Sequence, residues 1–202
     1  MTIRKGQAWG RVIPRPGDLV LVADDRSLCA ALVDKPGRPA APTSGDLHRT
    51  VGGRDIAGLG EVLELPIDLL RITTDDGEFV ACAHVQLRRS ALRGGWWFGP
   101  VLMVMNAEFI GHWQIAARGH PNDGRAENCG WGSDFGFRDR LEARRRLPTA
   151  AHAPHPSIQT GSFRERSWSF DELLDVLVDG RKVGRTRSLS VVVEPDAALI
   201  YT

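Results

Sequence analysis

The chain has 202 residues, 42% of them hydrophobic and 25% charged, the profile of a globular protein and not of a disordered or fibrous one. Twenty-six Lys and Arg oppose 25 Asp and Glu for a formal charge of +1, so no surface-wide field gathers nucleic acid, and a dedicated nucleic-acid partner is excluded from the expectations. At this length a chain buries roughly 70% of the surface its unfolded form exposes, so size alone calls for no metal or disulfide staple.

In chain order, Met1 to Gly10 lacks a continuous apolar stretch, and nowhere does an apolar run approach the roughly 20 residues that span a bilayer, so a cytoplasmic location is expected. Asp18 to Val22 is a short apolar run. Asp24 to Val33 then sets Leu28, Ala31 and Leu32 on one helical face behind acidic N-terminal residues. Pro36 to Pro42 breaks that helix and reads as a Pro/Ala linker. Ser44 or Asp46 can cap a second, short helix ending at Thr50 before Gly52 and Gly53.

From Glu61 the pattern becomes β. Val62 to Thr74 and Phe79 to Arg88 read as strands joined at Asp75, Asp76 and Gly77, and Trp97 to Asn106 and Phe109 to Arg118 add two more before a loop at His120 to Arg125. Ser133 to Leu147 is predicted as one amphipathic helix with Phe137, Leu141, Ala143 and Leu147 inward. Its basic end, Arg144 to Arg146, fits either a solvated helix terminus or a contact with phosphate, lipid headgroups or nucleic acid. Ser157 to Phe163, Arg166 to Phe170, Leu173 to Val178, Leu189 to Glu194 and Ala197 to Tyr201 read as short strands.

Several chemistries find little support. Cys29, Cys82 and Cys129 lie outside any C-x-x-C spacing and read as reduced core residues. His112, His120, His152 and His155 form no helical ligand pair and read as structural or surface histidines. No G-x-S-x-G elbow is present. Trp96, Trp97, Phe98 and Trp113 suit a sandwich core, an apolar pocket or a membrane surface. The nearby Arg88, Arg89 and Arg93 are compatible with anionic headgroups or with a solvated loop.

Three stretches together resemble the diacylglycerol and sphingosine lipid kinase family, within the NAD kinase-like superfamily. Met105 to Glu127 is similar to its strand, N-x-x-x-x-G turn, strand and P-x-D-G loop. Arg138 to Pro156 is similar to its helix and H-x-P-H-P segment, and Val176 to Gly184 with Leu189 to Tyr201 resembles its closing D-G-E hairpin and E-P-x-A-L strand. The resemblance implies an α+β protein: residues 1–55 a small residual α/β lobe of nucleotide-binding type, residues 56–202 an antiparallel β-sandwich with one inserted helix.

The N-terminal third departs from the family. Thr43 to Gly52 resembles the family's G-T-G-N-D loop, with Asp46 at the aspartate, and Val22 to Arg26 stands where a G-G-D-G-T loop is expected, keeping Asp24 and no glycine. A phosphate cradle needs glycine because backbone N–H groups must approach the oxygens with no Cβ in the way. In the D-G-E motif the glutamate implied as general base is Arg181, a permanent cation that accepts no proton. Asp24 and Asp46 are therefore vestigial nucleotide-binding positions, and no catalytic residue is assigned.

The expectation is a degenerate lipid kinase relative, a pseudokinase that binds a lipid or protein partner in the interdomain cleft, with Arg181, Asp46, Trp97 and Trp113 facing that cleft. Two alternatives stand beside it: an active ATP-dependent lipid kinase using Asp24, Asp46 and Asp123 in an altered or partner-completed site, and an assembly subunit or homodimer pairing through sheet edges. No cofactor is required. The resemblance implies a Mg²⁺ loop in which Asp123 is the one carboxylate left, although Asp-Gly turn chemistry explains the same residues. ATP enters only with the kinase alternative.

Overall fold

The computed structural model describes residues 8–202. Most of the N-terminal stretch read above for a leader lies outside them. Among the described residues no helix is long and apolar enough to cross a membrane.

Among the described residues the structure is mostly antiparallel sheet with three α-helices. β1 (Arg11–Pro14) opens the chain, and β2 (Val20–Val22), α1 (Asp25–Asp34) and β3 (Ala40–Pro42) form one β-α-β unit with β2 and β3 parallel. The stretch read as a linker thus ends in a strand, and Ala40, Ala41 and Pro42 are all buried. These small side chains let α1 pack close. α2 (Asp46–Thr50) follows.

β4 (Glu61–Thr74), β5 (Gly77–Ala81), β6 (His84–Arg88), β7 (Val101–Met105), β10 (Ala126–Trp131), β11 (Gln159–Phe163), β12 (Glu165–Val178) and β13 (Arg181–Tyr201) build the main sheet with β1. Its order is β1-β4-β13-β12-β6-β7-β10-β11, with β5 beside β4. A separate ribbon pairs β8 (Phe109–Ile110) with β9 (Trp113–Gln114), and α3 is Phe137–Arg146.

The sheet folds over on itself. Three strand spacings separate β12 from β10, about 14 Å if flat, yet the Arg166 guanidinium donates to Asn128 Oδ1 at 3.0 Å. β12 bends at a register shift between Ser169 and Leu174, so its first half pairs only with β13 and its second half also pairs with β6. Leu70, Ile72, Val85, Leu87, Leu174 and Val191 fill the core enclosed by the fold. A second core joins Leu28, Leu32 and Leu47 of the β-α-β region to Leu65, Ile67 and Ile200 of the sheet, so the small lobe and the sheet share one interior.

Several sequence expectations need correction. The strand expected over Phe79 to Arg88 breaks at Cys82 and Ala83, because a carboxylate takes their N–H groups (below) in place of a neighbouring strand. Phe109 to Arg118 is a tight ribbon followed by turns, since Gly111 adopts φ 57° and reverses the chain. β1 and β10 were not foreseen: Arg11–Pro14 is largely exposed, and Ala126–Trp131 mixes polar residues and glycine. The two pairs of short C-terminal strands are continuous in β12 and in β13, bent at bulges where turns were expected. Trp97 to Gly99 belongs to a loop with Gly94 and Gly99 at positive φ, and β7 starts at Val101.

α3 also turns differently from its amphipathic reading. Phe137 is exposed and Arg140 is buried, because the Arg140 guanidinium donates to the carbonyls of Phe135 (2.7 Å), Trp96 (2.8 Å), Gly132 (3.2 Å) and Gly99. Burial lowers its pKa, but four carbonyl partners replace the lost water. The three cysteines are free and buried, as expected.

Candidate functional site

Of the two residues that the sequence placed at a nucleotide site, Asp46 lies at the seam between the small lobe and the sheet, where it meets His84, a residue the sequence did not single out. Asp46 opens α2, His84 opens β6, and Asp179 sits in the two-residue turn between β12 and β13. With Val178 paired to Arg181, and with φ 44° at Asp179 and 77° at Gly180, this is the positive-φ hairpin turn for which Asp-Gly is the favoured pair.

Asp46 Oδ2 faces His84 Nε2 at 2.9 Å, and its Oδ1 accepts from Gly111 N–H at 2.6 Å, so the glycine of the N-x-x-x-x-G turn touches the site. Gln86 Nε2 lies 3.3 Å from His84 Nδ1. Besides His84, the sequence reading missed Asp25. Asp24, which it named, is exposed and caps α1 by accepting from Ser27 N–H at 2.8 Å. Asp25 is buried and accepts from the N–H groups of Asp46 (2.7 Å) and Leu47 (3.0 Å), supplying the N-terminal cap of α2 that Ser44 or Asp46 was expected to give. Asp25, Asp46 and His84 each bring a ligand-type atom within 4.8 Å of the others.

Burial pushes the Asp25 carboxyl up to about 6, with the Asp46 and Asp179 charges adding and the two N–H bonds opposing. His84 is fully buried, which disfavours its charged form. The Asp46 hydrogen bond and the negative charges of Asp179, Asp46 and Asp25 outweigh that and raise its pKa. Both shifts favour the protonated forms of Asp25 and His84. Beside it, Asp179 Oδ1 accepts from Ala83 N–H (2.9 Å) and His84 N–H (3.0 Å), and its Oδ2 accepts from Cys82 N–H (3.0 Å). Burial, then the neighbouring Cys29, lifts the Cys82 thiol well above its usual range.

A groove of about 690 Å³ opens next to this cluster between α1 and the sheet. Its apolar wall includes Phe79, Val80, Val178 and Val183, and Cys29 and Asp179 form its inner end. Its rim carries four cations. Arg71 pairs with Glu194 (2.6 Å) and Lys182 with Asp175 (2.8 Å), whereas neither Arg26 nor Arg181 forms an ion pair among the described residues.

The expected single cleft is therefore divided. Arg181 lines the groove and Asp46 lies in the adjoining buried cluster, but Trp97 and Trp113 belong elsewhere. They gather with Trp96, Trp131, Arg140 and Arg144 around a small cavity under α3, where Trp96 and Trp113 pack edge to face at 5.2 Å. The cause is local: Arg140 ties the loop carrying Trp96 to α3, and Arg144 lies over the Trp97 and Trp113 rings at 5.1 and 5.3 Å.

The residues do not fit a triphosphate at Val22 to Arg26. Val22 ends a strand, Asp24 and Asp25 place two carboxylates there, and no glycine opens the backbone. The loop for which Mg²⁺ was expected holds the Asp123 carboxylate close to those of Asp68 and Asp196, whose charges act on each other. Asp123 Oδ1 accepts from Arg125 N–H at 2.9 Å, and no group of three ligand-bearing side chains includes Asp123 among the described residues. The carboxylate that organises this loop is Asp68 of β4, buried and raised by that burial, which accepts from Gly124 N–H (2.7 Å) and Asp196 N–H (2.9 Å). Of the histidines singled out, His152 is buried and lowered by burial, and His120 packs on Trp9 at 4.3 Å.

No family model matches the sequence, and no curated protein matches it. Solved structures do. A structure from Bacillus anthracis str. Sterne assigned to the diacylglycerol kinases superposes with a TM-score of 0.65 at 13% identity, over 91% of this chain and 77% of its own. A diacylglycerol kinase structure from the same organism gives 0.61 at 14%, over 91% and 75%. Yeast NADH kinase aligns with a TM-score of 0.40 at 13% identity, over 91% of this chain and 60% of its own. In architecture, this chain has a diacylglycerol kinase-like fold.

Proposed function

We propose that this protein binds an anionic lipid in the groove between α1 and the sheet and does not phosphorylate it. The observation that carries the reading is the chemistry of the D-G-R turn. Arg181 puts a cation without an ion-pair partner where a proton acceptor would be needed, while both oxygens of its neighbour Asp179 are engaged by three backbone N–H groups. A second such cation, Arg26, faces the same groove, beside an apolar wall of Phe79, Val80 and Val183. Guanidinium groups on an apolar-walled groove favour a phosphate-bearing headgroup with its first acyl carbons. The buried Asp25 and His84 and the half-buried Asp46 hold α2 and the β8–β9 ribbon against the sheet, a structural role in this reading.

The test presents phosphatidic acid and diacylglycerol separately in mixed micelles. Phosphatidic acid should bind more tightly, Arg181→Glu should abolish that preference, and incubation with Mg-ATP and diacylglycerol should transfer no phosphate. Phosphate transfer by the wild-type chain would replace this reading with the kinase one, and equal affinity for the two lipids would remove the role given to Arg181.

A further inference from the structure

The loop at residues 89–99 and the first turn of α3 project apolar side chains into solvent at one end of the sheet. Leu92, in a single 3-10 turn (Ala91–Arg93), is 100% exposed, Phe98 54% and Phe137 53%. They belong to one unit: Trp97 packs on Phe137 at 5.3 Å, and Phe98 folds over Gly94. The unit is tied down from within by the four carbonyl contacts of Arg140 and by a two-point pair from Arg89 to Glu172 at 2.6 and 2.8 Å. Rigidly held apolar side chains in water mark a contact surface.

Charge points to what it contacts. Residues 88–99 and 133–146 carry eight arginines against three carboxylates, a net +5 in a chain whose total is +1. Arg93, Arg138 and Arg144 form no ion pair among the described residues, and Glu142 is already taken by Arg146 at 2.8 Å. Three projecting side chains would bury on the order of 500 Å², below the roughly 800 Å² per partner of a stable protein interface. A lipid surface admits each of them separately.

We propose that this end docks on an anionic membrane, with Leu92, Phe98 and Phe137 entering the boundary between headgroups and acyl chains and Arg93 and Arg138 contacting phosphates. The surface is independent of the groove and brings the protein to the layer in which lipids reside.

The full chain is sedimented with phosphatidylcholine vesicles, with and without phosphatidylglycerol, while tryptophan emission is followed. Binding should require the anionic lipid, weaken with salt and shift emission to the blue. The double variant Leu92→Ser/Phe98→Ser should lose about tenfold or more in partitioning, and Arg93→Glu and Arg138→Glu roughly fivefold each. Leu92 is fully exposed and Phe98 more than half exposed, so an unchanged melting temperature checks that the first variant folds. Undiminished binding of that variant, or equal binding to neutral vesicles, overturns the proposal. So does a concentration-dependent dimer that Leu92→Ser dissolves, which would make the end a self-contact.

Discussion

Asp179→Ala removes the one acceptor shared by three buried N–H groups, and its cost can be worked from the geometry. Hydrogen bonds to a charged acceptor contribute about 1.5–3 kcal/mol each, and three on one carboxylate are less than additive, so the loss is about 3–6 kcal/mol. Alanine at φ 44° adds about 1 kcal/mol. Against a typical total of about 5–15 kcal/mol this leaves the variant marginal. Asp179→Asn separates the two causes. Asparagine tolerates the left-handed backbone and its Oδ1 can keep the Ala83 and His84 bonds, so only the Cys82 N–H is orphaned, at about 1–3 kcal/mol. Urea denaturation measures the totals. Hydrogen exchange of amides 82–84 should show Cys82 alone unprotected in the asparagine variant and all three in the alanine variant. An alanine variant within about 1 kcal/mol of wild type, or unaltered exchange at these amides, would refute the clamp.

Stability should fall as pH rises through the site's titrations. Asp25 sits at about 6 when folded, above the usual ~4 of an unfolded aspartate, so the folded state holds the extra proton and loses that advantage as pH climbs from about 4 past 6. His84, also raised, contributes stability below its unfolded value that is lost as pH passes the folded one. The melting temperature should therefore be higher near pH 5 than near pH 8 and flatter in Asp25→Asn; a rising profile contradicts both signs. Arg140→Lys leaves at least one of four carbonyls, two of them in buried bonds, without its donor and should cost about 1–3 kcal/mol with a red shift of tryptophan emission, checked by thermal unfolding followed through fluorescence. Arg181→Glu restores a carboxylate but no phosphate cradle, so radiolabelled ATP should yield no phosphorylated lipid; turnover there would contradict the account of Val22 to Arg26. Mg²⁺ titration should leave the melting temperature unmoved, and a rise abolished by Asp123→Asn would give that loop an ion.

The sequence carried the helices of the small lobe, the β character after Glu61 and the D-G-R turn, because apolar periodicity and Asp-Gly turn chemistry are local signals. His84 escaped notice for a physical reason. In His84-Val85-Gln86-Leu87-Arg88 the polar residues alternate as on a solvated sheet face, and only the fold, which brings Asp46 onto His84, turns that face into a buried one. Asp25 was hidden by its neighbour: two consecutive aspartates at a helix start look alike until the tertiary fold brings α2 to one of them. Trp97 and Trp113 misled through composition, since an aromatic group before a strand says nothing about which cavity it joins, and that was settled by the carbonyl contacts of a buried arginine. Strand merging in β12 and β13 depends on bulges, which no local pattern distinguished from turns.

Leu28 and Leu47 interlock with Ile67 and Ile200 in one interior, which leaves no hinge plane between the lobe and the sheet. Whatever enters the groove meets jaws of fixed separation and must find its way by rotamer changes along the rim. Capture should then run at a rate set by side-chain rearrangement, insensitive to viscosity on the scale that slows the swinging of whole lobes.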